Sequence, residues 1–208
     1  MNTFVYVDGF NLYYGAVKGT PYKWLNILSL CRHLLPKNNI LKIKYFTALV
    51  TARPGDPDQP SRQQIYLRAL KTIPDLEIIY GHFLEHPVNM PLVSSLAGKI
   101  KYAYVMKTEE KGSDVNIAAH LINDGYKRLY QVAVLITNDS DLVEPIKIVR
   151  NELNLPVGVL NPRRSTPSHE LRKHATFVKP IRKGVLAASQ FPNTLTDVIG
   201  TFHKPPKW

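Results

Sequence analysis

The sequence has little cysteine, no long apolar run and few acidic residues for its number of basic ones. Its single cysteine, Cys31, has no partner for an internal disulfide, and the leucines around it predict a place in the core rather than in a zinc site. No apolar run approaches the roughly 20 residues that a membrane-spanning helix needs. The N-terminus, MNTFVYVDGF, lacks the basic start of a signal peptide. We therefore expect a cytoplasmic protein with no membrane partner.

Several common catalytic motifs are also missing. The sequence has no P-loop, no Gly-x-Gly-x-x-Gly motif, no Ser-His-Asp signature and no internal repeat. An aspartyl-nucleophile phosphatase needs a second aspartate two residues after the first, and the segment Asp8-Gly9-Phe10 does not supply it. These absences leave the charged residues as the candidates for function.

Positive charge is what the chain has in excess. It carries 27 Lys and Arg against 16 Asp and Glu, a net charge of +11. Beyond Asn161 the chain has nine Lys and Arg residues and only two acidic residues, Glu170 and Asp197. Neutralising phosphates releases counterions, so such an excess favours an anionic polymer as partner. We read residues 182–208 as a basic C-terminal extension or tail, and residues 1–181 as the domain.

Apolar runs alternate with helical patterns along the domain. Short β-prone runs at 3–7, 40–50, 76–84, 132–136 and 156–161 are separated by amphipathic segments, with a last strand predicted at 176–181. This alternation predicts an α/β fold with a central, mostly parallel sheet flanked by helices. At 208 residues the chain can form one substantial core.

One segment, 99–107 with the sequence KIKYAYVMK, departs from this pattern, and it follows a stretch, 86–98, that we predict to be irregular. Basic and aromatic residues alternate in it, which places Lys99, Lys101 and Lys107 on one face of a strand or hairpin. Interleaved rings and cations suit single-stranded nucleic acid. Lysines also protect exposed edge strands from aggregation. The sequence leaves both interpretations open.

Acidic residues follow two of the predicted strands directly. The first strand ends at Asp8, and the run 132–136 ends at Thr137, Asn138, Asp139 and Asp141. Asp and Ser before a helix are often only caps. A third acid, Asp114, begins an amphipathic segment and shares its apolar face, where a carboxylate needs a partner. Open α/β sheets place ligands at the carboxyl ends of their strands, so we expect these acids to form one site.

The motifs VDGFN, EKGSDVNIA and LITNDSDL, in this order, resemble those of the NYN domains, a branch of the PIN-like nucleases that includes the LabA-like proteins. The resemblance covers about residues 3–179. It implies a three-layer PIN-like fold whose acidic cluster binds divalent metal for phosphodiester hydrolysis, commonly on RNA. One departure is His174, where the family often carries an aspartate.

The resemblance implies a role for individual residues. The catalytic and metal-binding acids fall on Asp8, Asp114, Asp139 and Asp141, and the motif asparagine falls on Asn11. Hard oxygen ligands favour Mg²⁺ or Mn²⁺ over zinc. We assign substrate binding to residues in loops or at element ends near this site, namely Asn11, Arg53, Arg62, Lys107, Lys111, Thr137 and Asn138.

The predicted function is a metal-dependent ribonuclease acting on RNA, expected to be single-stranded, and an endoribonuclease by resemblance. The alternative is a non-catalytic nucleic-acid-binding regulatory module with a vestigial acidic site, because a fold does not guarantee activity. The residues leave open DNA as a substrate, endonucleolytic or exonucleolytic cutting, and one or two metal ions. They also leave open whether the chain forms a homo-oligomer or binds a protein partner.

Overall fold

A computed structural model describes residues 1–93, 101–163 and 168–208. Its strands, in chain order, are β1 (Asn2–Asp8), β2 (Asn39–Thr47), β3 (Leu76–Tyr80), β4 (His82–Pro91), β5 (Tyr102–Lys111), β6 (Val132–Ile136), β7 (Val157–Asn161), β8 (Phe177–Pro180), β9 (Thr194–Asp197) and β10 (Gly200–His203).

The helices lie mostly between these strands. They are α1 (Gly9–Leu12), α2 (Ile27–Leu34), α3 (Gln59–Lys71), α4 (Ser113–Tyr126), α5 (Val143–Asn151), α6 (His169–His174) and α7 (Lys183–Ala188). A π-helical turn, Tyr13–Val17, continues α1, and a 3₁₀ turn, Ser140–Leu142, precedes α5. In the part of the chain that the structure describes, no helix has the length and apolar character to cross a bilayer.

The central sheet confirms the predicted α/β fold. Among the described residues it has six parallel strands in the order β3-β2-β1-β6-β7-β8. Its register pairs Asp8 of β1 with Phe46 of β2, and Val7 of β1 with Ile136 of β6. Asp8 therefore ends β1, and Thr137 directly follows the neighbouring β6, at the same edge of the sheet.

Two cores cover the two faces of the sheet and make three layers. Along β1 the side chains alternate: Val5 and Val7 pack in one core, which includes residues of α2 and α3, and Tyr6 packs in the other, which includes residues of α4 and α5. All five residues of β6 are buried, as expected for a strand covered on both faces. Cys31 is buried in the first core, which confirms its predicted place.

The strand predicted at 76–84 is wrong in its extent, because the chain turns at Gly81 into an antiparallel hairpin of β4 and β5. A Cβ atom at Gly81 would lie 2.5 Å from the carbonyl oxygen of Lys111, so the crossing requires a glycine. Residues 86–91, predicted to be irregular, belong to β4. The strand predicted at 99–107 is β5, which begins at Tyr102, and Lys99 lies outside the described residues.

The C-terminal extension packs on the domain. The Arg68 guanidinium on α3 donates two hydrogen bonds of 2.7 Å to Asp197, at the end of β9. The Trp208 ring lies 6.2 Å from the Trp24 ring and 5.2 Å from the Tyr66 ring. This segment therefore contributes side chains to the first core. The division of the chain at residue 181 stays a prediction.

Candidate active site

Asp8 occupies the centre of the site, at the carboxyl end of β1. Its side chain caps α1 by accepting a hydrogen bond from the Asn11 backbone N–H at 2.9 Å, and its second oxygen accepts one from the Thr137 hydroxyl at 3.1 Å. A Cβ atom at Gly9 would lie 2.6 Å from the Phe46 carbonyl oxygen, so only glycine lets the chain turn here against β2. These contacts fix the position of the Asp8 side chain. Only 5% of the surface of Asp8 is exposed to solvent.

The segment after β6 is held against Asp8 by its own polar groups. The Thr137 hydroxyl also accepts a hydrogen bond from the Asp139 backbone N–H at 3.1 Å, and the Asp139 side chain caps the following turn by accepting one from Asp141 N–H at 3.0 Å. The Asn138 backbone N–H donates to the Asn11 side chain at 3.0 Å. Asn11 and Thr137 thus join the ends of β1 and β6.

Asp114 reaches the same place from the first turn of α4. It lines a cleft of about 520 Å³ together with Asp8, Asp139 and Glu110. The cleft is completed by Phe10, Asn11, Tyr14, Gly15 and Arg163. Asp141 does not line the cleft, but its charge acts on Asp114. The structure therefore brings three of the four predicted acids together and leaves Asp141 at the margin.

Burial and the charges of neighbouring acids raise the pKa of Asp8 and of Asp114. Burial raises the pKa of Asp8 to about 7, with the charges of Asp114 and Asp139 adding to the rise and the hydrogen bonds from Asn11 and Thr137 opposing it. Burial raises the pKa of Asp114 as well, and next in size are the effects of Asp139, Glu110 and Asp141. The cleft is consequently a site where positive charge is favoured.

No described Lys, Arg or His makes an ion pair with Asp8, Asp114, Asp139 or Asp141. A buried carboxylate without a cationic partner, facing further carboxylates, suits a hard divalent cation. Within the described ranges no three acidic, histidine or cysteine side chains close on a single ion. Magnesium sites commonly use one or two carboxylates completed by water and phosphate oxygens, and the four acids that line the cleft can supply that many.

The predicted substrate-binding residues fall into three groups. Asn11, Thr137 and Asn138 lie at the acidic cleft, where their hydrogen bonds hold the loops. Arg53 and Arg62 line a neighbouring pocket, described below. Lys107 and Lys111 lie on β5, and both pair with the Glu109 carboxylate, at 2.6 and 3.3 Å. Binding of substrate by these residues stays a prediction.

Sequence reasoning missed two charged residues of the cleft, Glu110 and Arg163. Glu110 accepts hydrogen bonds from the backbone N–H and hydroxyl of Ser113, at 3.2 and 2.8 Å, at the start of α4. The available signal was its spacing, since an acid three residues before Ser113 can bond the first turn of a helix. Arg163 lay in the basic segment after Asn161, and no local pattern distinguishes it from its neighbours.

The fold and the site place the protein in a class, that of three-layer α/β domains of PIN-like architecture with acidic residues at the carboxyl edge of the sheet. The chain matches the NYN domain family over residues 2–181, and it belongs to that family. The predicted NYN membership is confirmed; the LabA-like branch stays a prediction.

Two individual proteins are similar to the chain. It is 31% identical over 238 residues to the protein named 6-hydroxy-3-succinoylpyridine 3-monooxygenase HspA of Pseudomonas putida (strain DSM 28022 / S16), covering all of this chain and 75% of that one. A crystal structure of a protein of unknown function from Vibrio parahaemolyticus RIMD 2210633 shares the fold, with a TM-score of 0.51 and 17% identity over 88% of this chain and 93% of that one.

Proposed function

We propose that this protein is a divalent-metal-dependent nuclease that hydrolyses phosphodiester bonds in RNA, acting as an endoribonuclease. The observation that carries the proposal is the buried Asp8 carboxylate, which faces Asp114 and Asp139 and makes no ion pair with a described basic residue. Membership of the NYN family supports a nucleic-acid substrate. The net charge of +11 supports an anionic one.

Each side chain then has a distinct task. Two of the three acids Asp8, Asp114 and Asp139 would bind one Mg²⁺ or Mn²⁺ directly and the third through a bound water, with Asp141 adding negative charge at the margin. The ion would activate a water and stabilise charge on the phosphate. Thr137 and the Asn11 backbone fix both oxygens of Asp8. Arg163 lines the cleft and can pair with a phosphate oxygen.

The test is cleavage of labelled single-stranded RNA with Mn²⁺, Mg²⁺ or chelator. We expect Asp8→Asn and Asp139→Asn each to reduce cleavage to the level seen in chelator, because the amide keeps the shape and removes the charge that attracts the ion. RNA affinity should persist, since the basic surface supplies most of the phosphate attraction.

The matched control is Asp75→Asn, the same atomic change just before β3, at the amino-terminal edge of the sheet. It should cut as the wild type does. Equal cleavage by the wild type in chelator and in metal would contradict the mechanism. RNA binding without metal-dependent cleavage would favour the non-catalytic RNA-binding module instead.

A second candidate is oxygenation of a small aromatic acid. It is favoured by the name of the Pseudomonas putida relative and by the pocket of about 600 Å³ beside the cleft, a size typical of small-molecule sites. The test supplies 6-hydroxy-3-succinoylpyridine, dioxygen and a two-electron reductant, and measures oxygen uptake and hydroxylated product. Product formation that survives Asp139→Asn would favour this candidate over the nuclease.

A further inference from the structure

A second pocket lies directly beside the acidic cleft, and seven aromatic residues are among those that line it. It measures about 600 Å³, and Phe10, Tyr14 and Glu110 line both cavities. Its other rings include Tyr13, Tyr45, Tyr66, Phe83 and Trp208. A chain bound with one phosphate in the cleft can therefore place a neighbouring group between these rings.

The pocket contains a buried cation with an unused donor. The Arg62 side chain is 13% exposed, and one of its terminal nitrogens, Nη2, pairs with Asp56. The other, Nη1, is buried and has no hydrogen-bond partner among the described residues. A buried donor without an acceptor is unfavourable, so this nitrogen is suited to an acceptor brought by a ligand.

The residue next to Arg62 differs from it, because each end of its side-chain amide has a partner. Gln63 also lines the pocket, and both ends of its amide are satisfied: it donates to the Ala48 carbonyl at 2.8 Å and accepts from the Val50 N–H at 2.9 Å. The wall of the pocket is thus ordered by its own hydrogen bonds, and Arg62 Nη1 is a buried nitrogen in it that has no acceptor among the described residues.

Aromatic rings beside a buried donor without an acceptor match the chemistry of a nucleobase. Bases stack on Tyr, Phe and Trp rings, and base carbonyls accept hydrogen bonds on their edges. We propose that this pocket binds one base of the RNA, next to the phosphate that lies in the acidic cleft, with Arg62 Nη1 donating to the base. This inference rests on the proposed RNA substrate and adds to it the group that positions the strand.

The test measures binding in chelator, where metal-dependent cleavage cannot consume the RNA. An oligouridylate is compared with an abasic ribose-phosphate oligomer of the same length by fluorescence anisotropy. We expect the base-bearing oligomer to bind roughly tenfold tighter, in line with the stacking of one base on aromatic side chains. Repulsion of phosphate by the acids is the same for both oligomers and cancels in the ratio.

Two variants test whether the pocket causes the difference in affinity between the two oligomers. Arg62→Gln removes the donor, and Tyr14→Leu removes a ring that is 55% exposed, so its loss should leave the fold intact. Each should bring the ratio of affinities close to one. Arg172→Gln removes an exposed charge on α6 and should weaken both oligomers equally while preserving the ratio.

Other outcomes overturn the inference. Equal affinity of the wild type for the two oligomers, or variants that weaken both equally, would show that no base enters the pocket. Thermal stabilisation by nicotinate but not by uridine 5′-monophosphate would assign the pocket to small heteroaromatic acids. Base-dependent binding without metal-dependent cleavage would support the pocket and refute the proposed nuclease, so the two failures are distinguishable.

Discussion

At the scale of single residues, Asp8 is central to the proposed function, and its charge lowers the stability of the metal-free folded protein. A carboxylate that is 5% exposed and close to two others destabilises the folded state while the cleft holds no cation. An asparagine at this position has the same shape and can still accept the hydrogen bond from the Asn11 N–H that caps α1. The charge can therefore be removed without removing the cap.

We predict that Asp8→Asn raises the melting temperature of the metal-free protein by a few degrees. A gain of about 1 kcal/mol moves the melting temperature of a domain of this size by roughly 2–4 °C. Adding Mn²⁺ should stabilise the wild type by mass action and leave the variant unchanged. Differential scanning fluorimetry in chelator and in Mn²⁺ measures both effects, with Asp75→Asn as the control. A metal-free variant less stable than the wild type would show that the charge is satisfied by the fold.

Sequence reasoning found Asp8 and Asp139 because each directly follows a continuous apolar run, and parallel strands bring such ends together. It missed Glu110, whose spacing before Ser113 predicts a bond to the start of a helix but not a place in the cleft. The residue lies at the end of β5, beside Glu109, and this end of the strand reaches the cleft where the chain crosses at Gly81 against Lys111. It could not find the pocket of Arg62 either, since Trp208 and Tyr13 are brought together only by the fold.

At the scale of elements, a buried ion pair joins β2 to α4. Lys44, on β2, donates to Asp124 of α4 at 2.6 Å, and Asp124 also accepts a hydrogen bond from the Tyr6 hydroxyl at 2.8 Å. The two charged residues are 7% and 3% exposed. A pair this deep stabilises the fold weakly as a pair, but either partner alone is strongly unfavourable.

Accordingly, Lys44→Met should lower the free energy of unfolding by about 3–5 kcal/mol, because it leaves the Asp124 charge buried without a cation. The double variant with Asp124→Asn should recover much of that loss. The control is Lys42→Met on the same strand, whose pair with Glu77 is at 3.7 Å and half-exposed, so its cost should stay below about 1 kcal/mol. Urea denaturation with unchanged m-values measures all three. Equal costs for the two lysines would contradict the argument.

The same scale shows why strands were easier to predict than their ends. Residues 76–84 carry one β-prone pattern interrupted only by Gly81, and an isolated glycine does not distinguish a bulge or a close backbone approach from the end of a strand. Register and neighbours decide such a boundary: Gly81 N–H donates to the Thr47 carbonyl at 2.8 Å, and the next residue pairs with Lys111. These partners are distant in sequence, and periodicity carries no information about them.

At the scale of the whole molecule, the net charge is +11, but not every basic residue is free to pair with an RNA phosphate. Lys107 and Lys111 share the Glu109 carboxylate, and the two lysines hold the pKa of Glu109 below its usual range. Charge on this face of β5 is therefore partly neutralised within the protein. The contribution of the β4–β5 hairpin to RNA binding therefore depends on the strength of the ion pairs that Glu109 makes with Lys107 and Lys111.

Replacing Glu109 by glutamine tests this balance. We expect Glu109→Gln to strengthen RNA binding at low salt and to steepen the salt dependence by about 0.7 in log–log slope for each phosphate newly contacted. Lys111→Glu should do the opposite. The control, Glu77→Gln, adds the same net charge on β3 near its amino end, away from the cleft, and should leave the slope unchanged. Binding isotherms at several salt concentrations give the slopes. If both glutamine variants steepen the slope equally, long-range charge rather than the β4–β5 hairpin attracts the RNA, and Lys107 and Lys111 make no direct contact with phosphate.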